Sequence, residues 1–363
     1  MIASVTTQPL DTDRSKPFAD MVDNVLAPVP EQVRRLLIAM DNQQIVIRAY
    51  DAIHPLAAGL VTAGDLNITV DSHSSIDVMS SADPPECGEM SLSKYVRGLA
   101  AGDDRWVGMP YFVIRGFRQR SFWTGNDSGL GGFADLRGRT VGLSGWPDSG
   151  NVWSRSLITH AGVPLTDVDW RVGKVTNDYP REVAVPSAPG LNVTGLAEGD
   201  SLVDAAIGGR LDVVALAFPP EFLFHADSPL RRLCADPRGE ERAYFEATSV
   251  YPILHIVALR RDVFDRHPDR LAAIYEALCR SWQMRHQLVR TFGDSTPWMQ
   301  LDLEASADLL GTSDRPFDHT APINARTLRE FCSQLQEQNL LPQPIGPDLL
   351  FADFDSITTA ARR

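Results

Sequence analysis

Short runs of β-branched and aliphatic residues, alternating with stretches of helical apolar spacing, recur along most of this 363-residue chain. That alternation constrains the fold more than any single motif. Segments 45–50, 66–70, 76–79, 107–113, 117–123, 136–143, 168–172, 211–216 and 251–259 read as strands. Helical spacing predicts helices over 30–40, after Ser91 through Leu92, Tyr95, Val96 and Leu99, and around Val152, Trp153, Leu157 and Ile158. Further helices are predicted at 202–207, 268–290 and 326–339, with a long Pro- and Gly-containing connection over 176–200. Strands alternating with helices call for an α/β sheet architecture.

The stretch Cys87-Gly88-Glu89-Met90-Ser91-Leu92-Ser93-Lys94-Tyr95 packs charged, hydroxyl and phenolic groups into a strand-to-helix turn. Free backbone N–H groups and the positive end of the helix dipole favour a carboxylate or phosphate at such a turn. Ser91 and Ser93 suit two roles there, as helix caps or as ligand contacts. A second turn of this kind, 144–151, opens the helix carrying Trp153 and offers Ser149, Asn151 and Trp146.

Several classes are disfavoured. A net charge of -13 argues against a nucleic-acid surface, and no apolar run approaches membrane-spanning length. The glycines form neither G-x-G-x-x-G nor a P-loop. The four cysteines, at 87, 234, 279 and 332, are scattered and read as reduced structural thiols, with Cys87 the one inside the central motif. The histidines are equally scattered, so no metal is expected. The polar start of the chain lacks a basic segment followed by an apolar run, so a cytoplasmic location is expected. The expected partner is a small anionic molecule, with neither nucleic acid nor membrane; a homo-oligomer is compatible with the composition.

The motifs together resemble the 4,5-dihydroxyphthalate decarboxylases. Residues 88–95 are similar to that family's AEMSLSSY, Phe117-Arg118 to its FRHS segment and 135–142 to its DLKGKRVGV. Val152-Trp153, 241–245 and Tyr251-Pro252-Ile253-Leu254-His255, similar to FPIMH, continue the match, which runs from about residue 45 to 350. The resemblance implies a two-lobed type II periplasmic-binding-protein-like α/β fold with an interlobe cleft and two crossover strands. With crossovers near 117–123 and 251–257, the expected division is an N-terminal arm and short helix over 1–42, a discontinuous lobe over 43–122 plus 252–363, and a second lobe over 123–251. Three positions depart from the family. DYDRT appears as Tyr50-Asp51-Ala52-Ile53-His54 without its arginine, FRHS loses its histidine to Gln119 and adds Arg120, and the glutamate of VGVPEYQ is Gly145.

The implied reaction is cofactor-independent decarboxylation of a hydroxylated aromatic or heteroaromatic acid. An acid protonates the ring carbon bearing the carboxylate, and C–C cleavage restores aromaticity. His255, the ionisable group in an apolar strand, is the first candidate donor, against the alternative of a core histidine. Glu89 is the second, if burial beside Met90 raises its pKa, against a structural ion pair with an arginine. Arg118 and Arg120, two apart on a strand, are expected on one face as clamps for a second acidic group. Ser91, Ser93, Ser149, Asn151, Trp146 and Asp51 complete the binding set, with Trp123 and Trp153 as further stacking or core residues. Two alternatives stand beside this reading: a non-catalytic small-acid binding protein, and a C–S desulfinase-like lyase using Cys87.

Overall fold

The computed structural model describes residues 42–62, 66–71, 79, 81, 83–179, 183–293, 296–311 and 316–360. The arm and helix expected before residue 42, and the strand expected at 76–79 apart from Met79, lie outside the described residues.

The strands in chain order are β1 (Asn42–Val46), β2 (Asn67–Asp71), β3 (Cys87–Ser91), β4 (Trp106–Arg115), β5 (Phe122–Gly125), β6 (Thr140–Leu143), β7 (Asp169–Val172), β8 (Asn192–Gly195), β9 (Val213–Ala215), β10 (Leu230–Arg232) and β11 (Ile253–Arg260). The helices are α1 (His54–Ala57), α2 (Leu92–Ala100), α3 (Ser149–His160), α4 (Leu202–Ile207), α5 (Pro237–Thr248), α6 (Arg261–Arg266), α7 (Pro268–Phe292), α8 (Met299–Leu310), α9 (Pro322–Glu337) and α10 (Ala352–Ala360). Two mixed sheets result, five strands in the order β2-β1-β3-β11-β4 and six in the order β10-β5-β9-β6-β7-β8, each the centre of one lobe. Strand β8 lies within the stretch expected to be a plain connection; its side chains are mostly exposed, so no buried alternation marked it.

The chain leaves the first sheet after Arg115, enters the second at Phe122 and returns from Arg232 to Ile253. The two passages meet where the Gly116 N–H donates to Pro252 O (3.0 Å). Phe117 packs against Tyr244, Phe245 and Tyr251 at the same place. Helix α9 braces this junction. Arg115 donates to Asn324 Oδ1 (2.8 Å) and the Tyr251 N–H to Thr327 Oγ1 (3.2 Å). The same helix packs Phe331 on Trp153 of α3, with ring centroids 5.2 Å apart.

Strand β11 shows why its sequence is almost unbroken apolar. It lies between β3 and β4, antiparallel to both, so both edges are paired, and consecutive residues pointing to opposite faces are buried, so both faces are covered. Only His255 and the terminal Arg260 of this strand are less than fully buried. Strands β1 and β3 are parallel to one another, as are β6 and β9. In parallel sheets the carboxyl ends of the strands are where ligands collect. The segments leaving β3 and β6 meet, and so do those leaving β1 and β9.

Candidate active site

Strand register brings the first side chains together. His255 lies opposite Ser91, and Val257 opposite Glu89. Side chains alternate along a strand, so His255, Ser91 and Glu89 share one face, with His255 and Glu89 diagonal neighbours. The Glu89 side chain is 2% exposed and that of His255 12%.

A carboxylate buried this deeply is costly unless its oxygens accept hydrogen bonds. Glu89 has three donors. His255 Nδ1 and Tyr50 Oη (2.7 Å) contact Oε1, and the Arg48 backbone N–H donates to Oε2 (3.1 Å). Burial pushes the Glu89 carboxyl up, but the hydrogen bond and charge of His255, with the bonds from Tyr50 and Arg48, outweigh it and hold the group below its ordinary value. Burial, the Glu89 charge and the bond to Glu89 push the Tyr50 phenol up, so it stays protonated as a donor. Because an ionised carboxylate only accepts, His255 carries its proton on Nδ1 toward Glu89. Among the described residues, Nε2 has no hydrogen-bond partner.

This geometry corrects the expected role of Glu89. It is an ionised acceptor that orients His255 and is not itself an acid with a raised pKa; nor, among the described residues, does it pair with an arginine side chain. Arg48 reaches it through the backbone. Tyr50 and Arg48 were missed as site residues, although period-two alternation beyond β1 places both beside it. Asp51, chosen instead, is ion-paired with Arg285 (2.6 Å), its side chain 63% exposed.

The second lobe meets this cluster at the start of α3. Ser149 Oγ lies 2.8 Å from Ser91 Oγ and accepts from the Ser93 N–H at 2.9 Å. Ser91 is the residue before α2 but makes no side-chain cap bond, so its hydroxyl serves the lobe junction. Ser93 is buried and contributes its backbone N–H there; its hydroxyl has no partner. Asn151 donates Nδ2–H to Gly145 O (2.7 Å) and holds the turn. At Gly145 a Cβ would stand 2.4 Å from Asp148 Oδ2, so a side chain in the place of the family's glutamate requires the Asp148 carboxylate to move. Trp146 is corrected from a substrate contact to a core residue. It is 1% exposed, under the Arg155 guanidinium at 4.0 Å and edge-to-face with Trp170.

The arginine pair is corrected as well. Gln119–Ser121 is a 3-10 turn, not a strand, so residues two apart point in different directions. Arg120 forms a two-pronged pair with Glu241 (2.8 and 2.6 Å). Arg118 is 5% exposed, and its Nε and Nη2 have no partner. Burial, then the neighbouring Arg120, pull it down to about 10, which leaves it charged at neutral pH. A Cβ on Gly150, in the first turn of α3, would lie 3.4 Å from this guanidinium. Asp148, before α3, makes no side-chain cap bond. A buried cation beside the positive end of a helix is a combination that an anion satisfies.

Cys87 does not fit the nucleophile role. It is wholly buried, and burial pushes its thiol up and away from the reactive thiolate. Among the described residues, no group of three or more His, Cys, Asp or Glu side chains is placed to hold a metal ion. Nor is any helix among them long and apolar enough to cross a membrane.

The decisive similarity is at the level of sequence. The chain is 27% identical over 199 residues to a 4,5-dihydroxyphthalate decarboxylase from Comamonas testosteroni, and 29% identical over 171 residues to one from Pseudomonas putida. It is similar to the 4,5-dihydroxyphthalate decarboxylases. The alignments cover 52% and 44% of this chain, and span 58% and 63% of those relatives. No family model matches. Among solved structures, the periplasmic aliphatic sulphonate binding protein SsuA from Escherichia coli superposes with a TM-score of 0.50 at 14% identity, covering 86% of this chain and 91% of that one. The fold is therefore that of the periplasmic binding proteins, in its two-lobed α/β form.

Proposed function

We propose that the chain is a decarboxylase of a hydroxylated aromatic or heteroaromatic carboxylic acid, with His255 as the proton donor. The observation that carries this reading is the buried Glu89 carboxylate, which fixes Nδ1 of His255 and leaves Nε2 unengaged. His255 Nε2–H delivers a proton to the ring carbon bearing the carboxylate. Glu89 stabilises the imidazolium before transfer and holds the ring in orientation throughout. The C–C bond then breaks, its electrons restore the aromatic ring, and CO2 leaves. Arg118 and the start of α3 suit a second acidic group of the substrate. The curated relatives carry the name of this chemistry, and 4,5-dihydroxyphthalate is the first substrate to try.

The test is CO2 release from a panel of hydroxylated phthalates, hydroxybenzoates and heteroaromatic analogues. Wild type is expected to turn over at least one acid, and His255→Ala to lose about 100-fold or more in kcat. No CO2 from any of them, or full activity in His255→Ala, would sink the proposal. Arg118 also supports a second reading, a non-catalytic binder of small acids. Tight calorimetric binding of an acid recovered unchanged after long incubation would favour it.

A further inference from the structure

The segment leaving β9 reaches across to the first lobe with a single aromatic side chain. Phe218 is 50% exposed, yet the Arg48 guanidinium sits 4.8 Å from its ring centroid. Arg48 is the residue whose backbone N–H holds Glu89 Oε2, two positions before Tyr50. Phe218 thus stands across the lobe junction from the Glu89, Tyr50 and His255 cluster.

The backbone presenting it is held on both sides. Before it, the Leu216 N–H donates to Ser121 O (2.8 Å), tying the segment to the passage between lobes. After it, Pro219 and Pro220 restrict φ and bias Phe218 toward extended backbone. The following turn is anchored by buried Leu223 and by Phe224, edge-to-face on Trp123 at 5.8 Å. A half-exposed phenyl on so constrained an arm loses little entropy on contact with a ligand. One part of the ring is engaged by Arg48 and the rest is open. The open part suits a planar π-system, with offset or edge-to-face geometry.

We propose that Phe218 is the specificity-determining residue of the second lobe: it packs on the ring of a bound aromatic acid while its contact with Arg48 holds the lobes together over Glu89 and His255. This rests on the decarboxylase reading only for the choice of ligand class. Phe218 performs no proton transfer. Its contribution is selection of aromatic over saturated acids, so the loss on truncation falls in binding and in KM, with kcat little changed.

Calorimetric titration tests this without requiring turnover. The probes are 4,5-dihydroxyphthalate and cyclohexane-1,2-dicarboxylate, a saturated diacid of equal charge. Phe218→Ala and Phe218→Leu are expected to weaken the aromatic diacid about 5- to 20-fold, and Phe218→Tyr to restore it, from the usual strength of aromatic and cation–π contacts. Binding of the saturated diacid should change less than about twofold in all three. Phe218→Leu keeps the apolar volume, so a loss in that variant isolates the π-system. The side chain is half exposed, and all variants should melt with wild type. Equal losses on both probes, no loss on the aromatic one, or no binding of the aromatic diacid by wild type each overturn the proposal. Absence of CO2 release alongside intact aromatic discrimination overturns only the decarboxylase reading.

Discussion

Glu89 keeps its charge in a site where a carboxyl would ordinarily be neutral, and the cause is three donors in place of water. The consequence for pH follows from the sign of the shift. The folded carboxyl lies below its ordinary 4.5, so its contribution to stability is fully present above that value and is lost as pH falls through the folded pKa. Wild type is therefore expected to lose stability below about pH 4.5 faster than Glu89→Gln, which has no such titration, in urea denaturation at matched pH. Parallel acid profiles for the two would contradict this. At neutral pH, Glu89→Gln should be destabilised by about 3–5 kcal/mol, the range for breaking a buried pair. His255 was legible in the sequence because it interrupts an apolar strand, and Glu89 because it stands in the motif at the strand-to-helix turn. Glu89's role was not legible, because the sign of a buried carboxyl's pKa shift depends on donors that come from another strand. Tyr50 and Arg48 are 39 and 41 positions away from it.

At the scale of elements, the strands and long helices were legible wherever burial imposes a period, as in β11 and α7. They were not where it does not. Phe117 to Trp123 alternates aromatic and basic residues, yet the chain is changing sheets there, and passing between lobes requires a tight turn, not an extended ladder. The close packing of β3 on β1 is a subtler constraint. A Cβ on Gly88 would stand 2.7 Å from Val46 O and 2.8 Å from Met79 Sδ. Gly88→Ala therefore forces β3 away from β1 and is expected to cost about 1–3 kcal/mol, the usual range for overpacking. Because Arg48 holds Glu89 across the same strand pair, kcat should fall with stability. Unchanged melting and turnover would show that the strands shift without penalty.

For the whole molecule, the lobes are joined by a few directed contacts as well as by the two passages. Trp153 of α3 donates Nε1–H to Ile253 O (3.0 Å) while stacking on Phe331 of α9. Trp153→Phe removes that bond, leaves a buried carbonyl short of a donor and retains most of the ring. A loss of about 1–3 kcal/mol is expected, measurable by urea denaturation; a value near zero would show that another donor reaches Ile253 O. The two-lobed layout was legible only through the resemblance to a family, since periodicity reports local burial and is silent on which sheet a strand joins.

Strand β11 occupies the slot between β3 and β4, although more than 130 residues of chain separate it from β4. During synthesis the first sheet therefore waits, with β3 and β4 exposing unpaired edges, while the whole second lobe is made and can fold. The strand that seals those edges is also the one that carries His255. A nascent or truncated chain ending before it has an open sheet and lacks the proposed proton donor, so closure of the sheet and acquisition of the histidine are the same event.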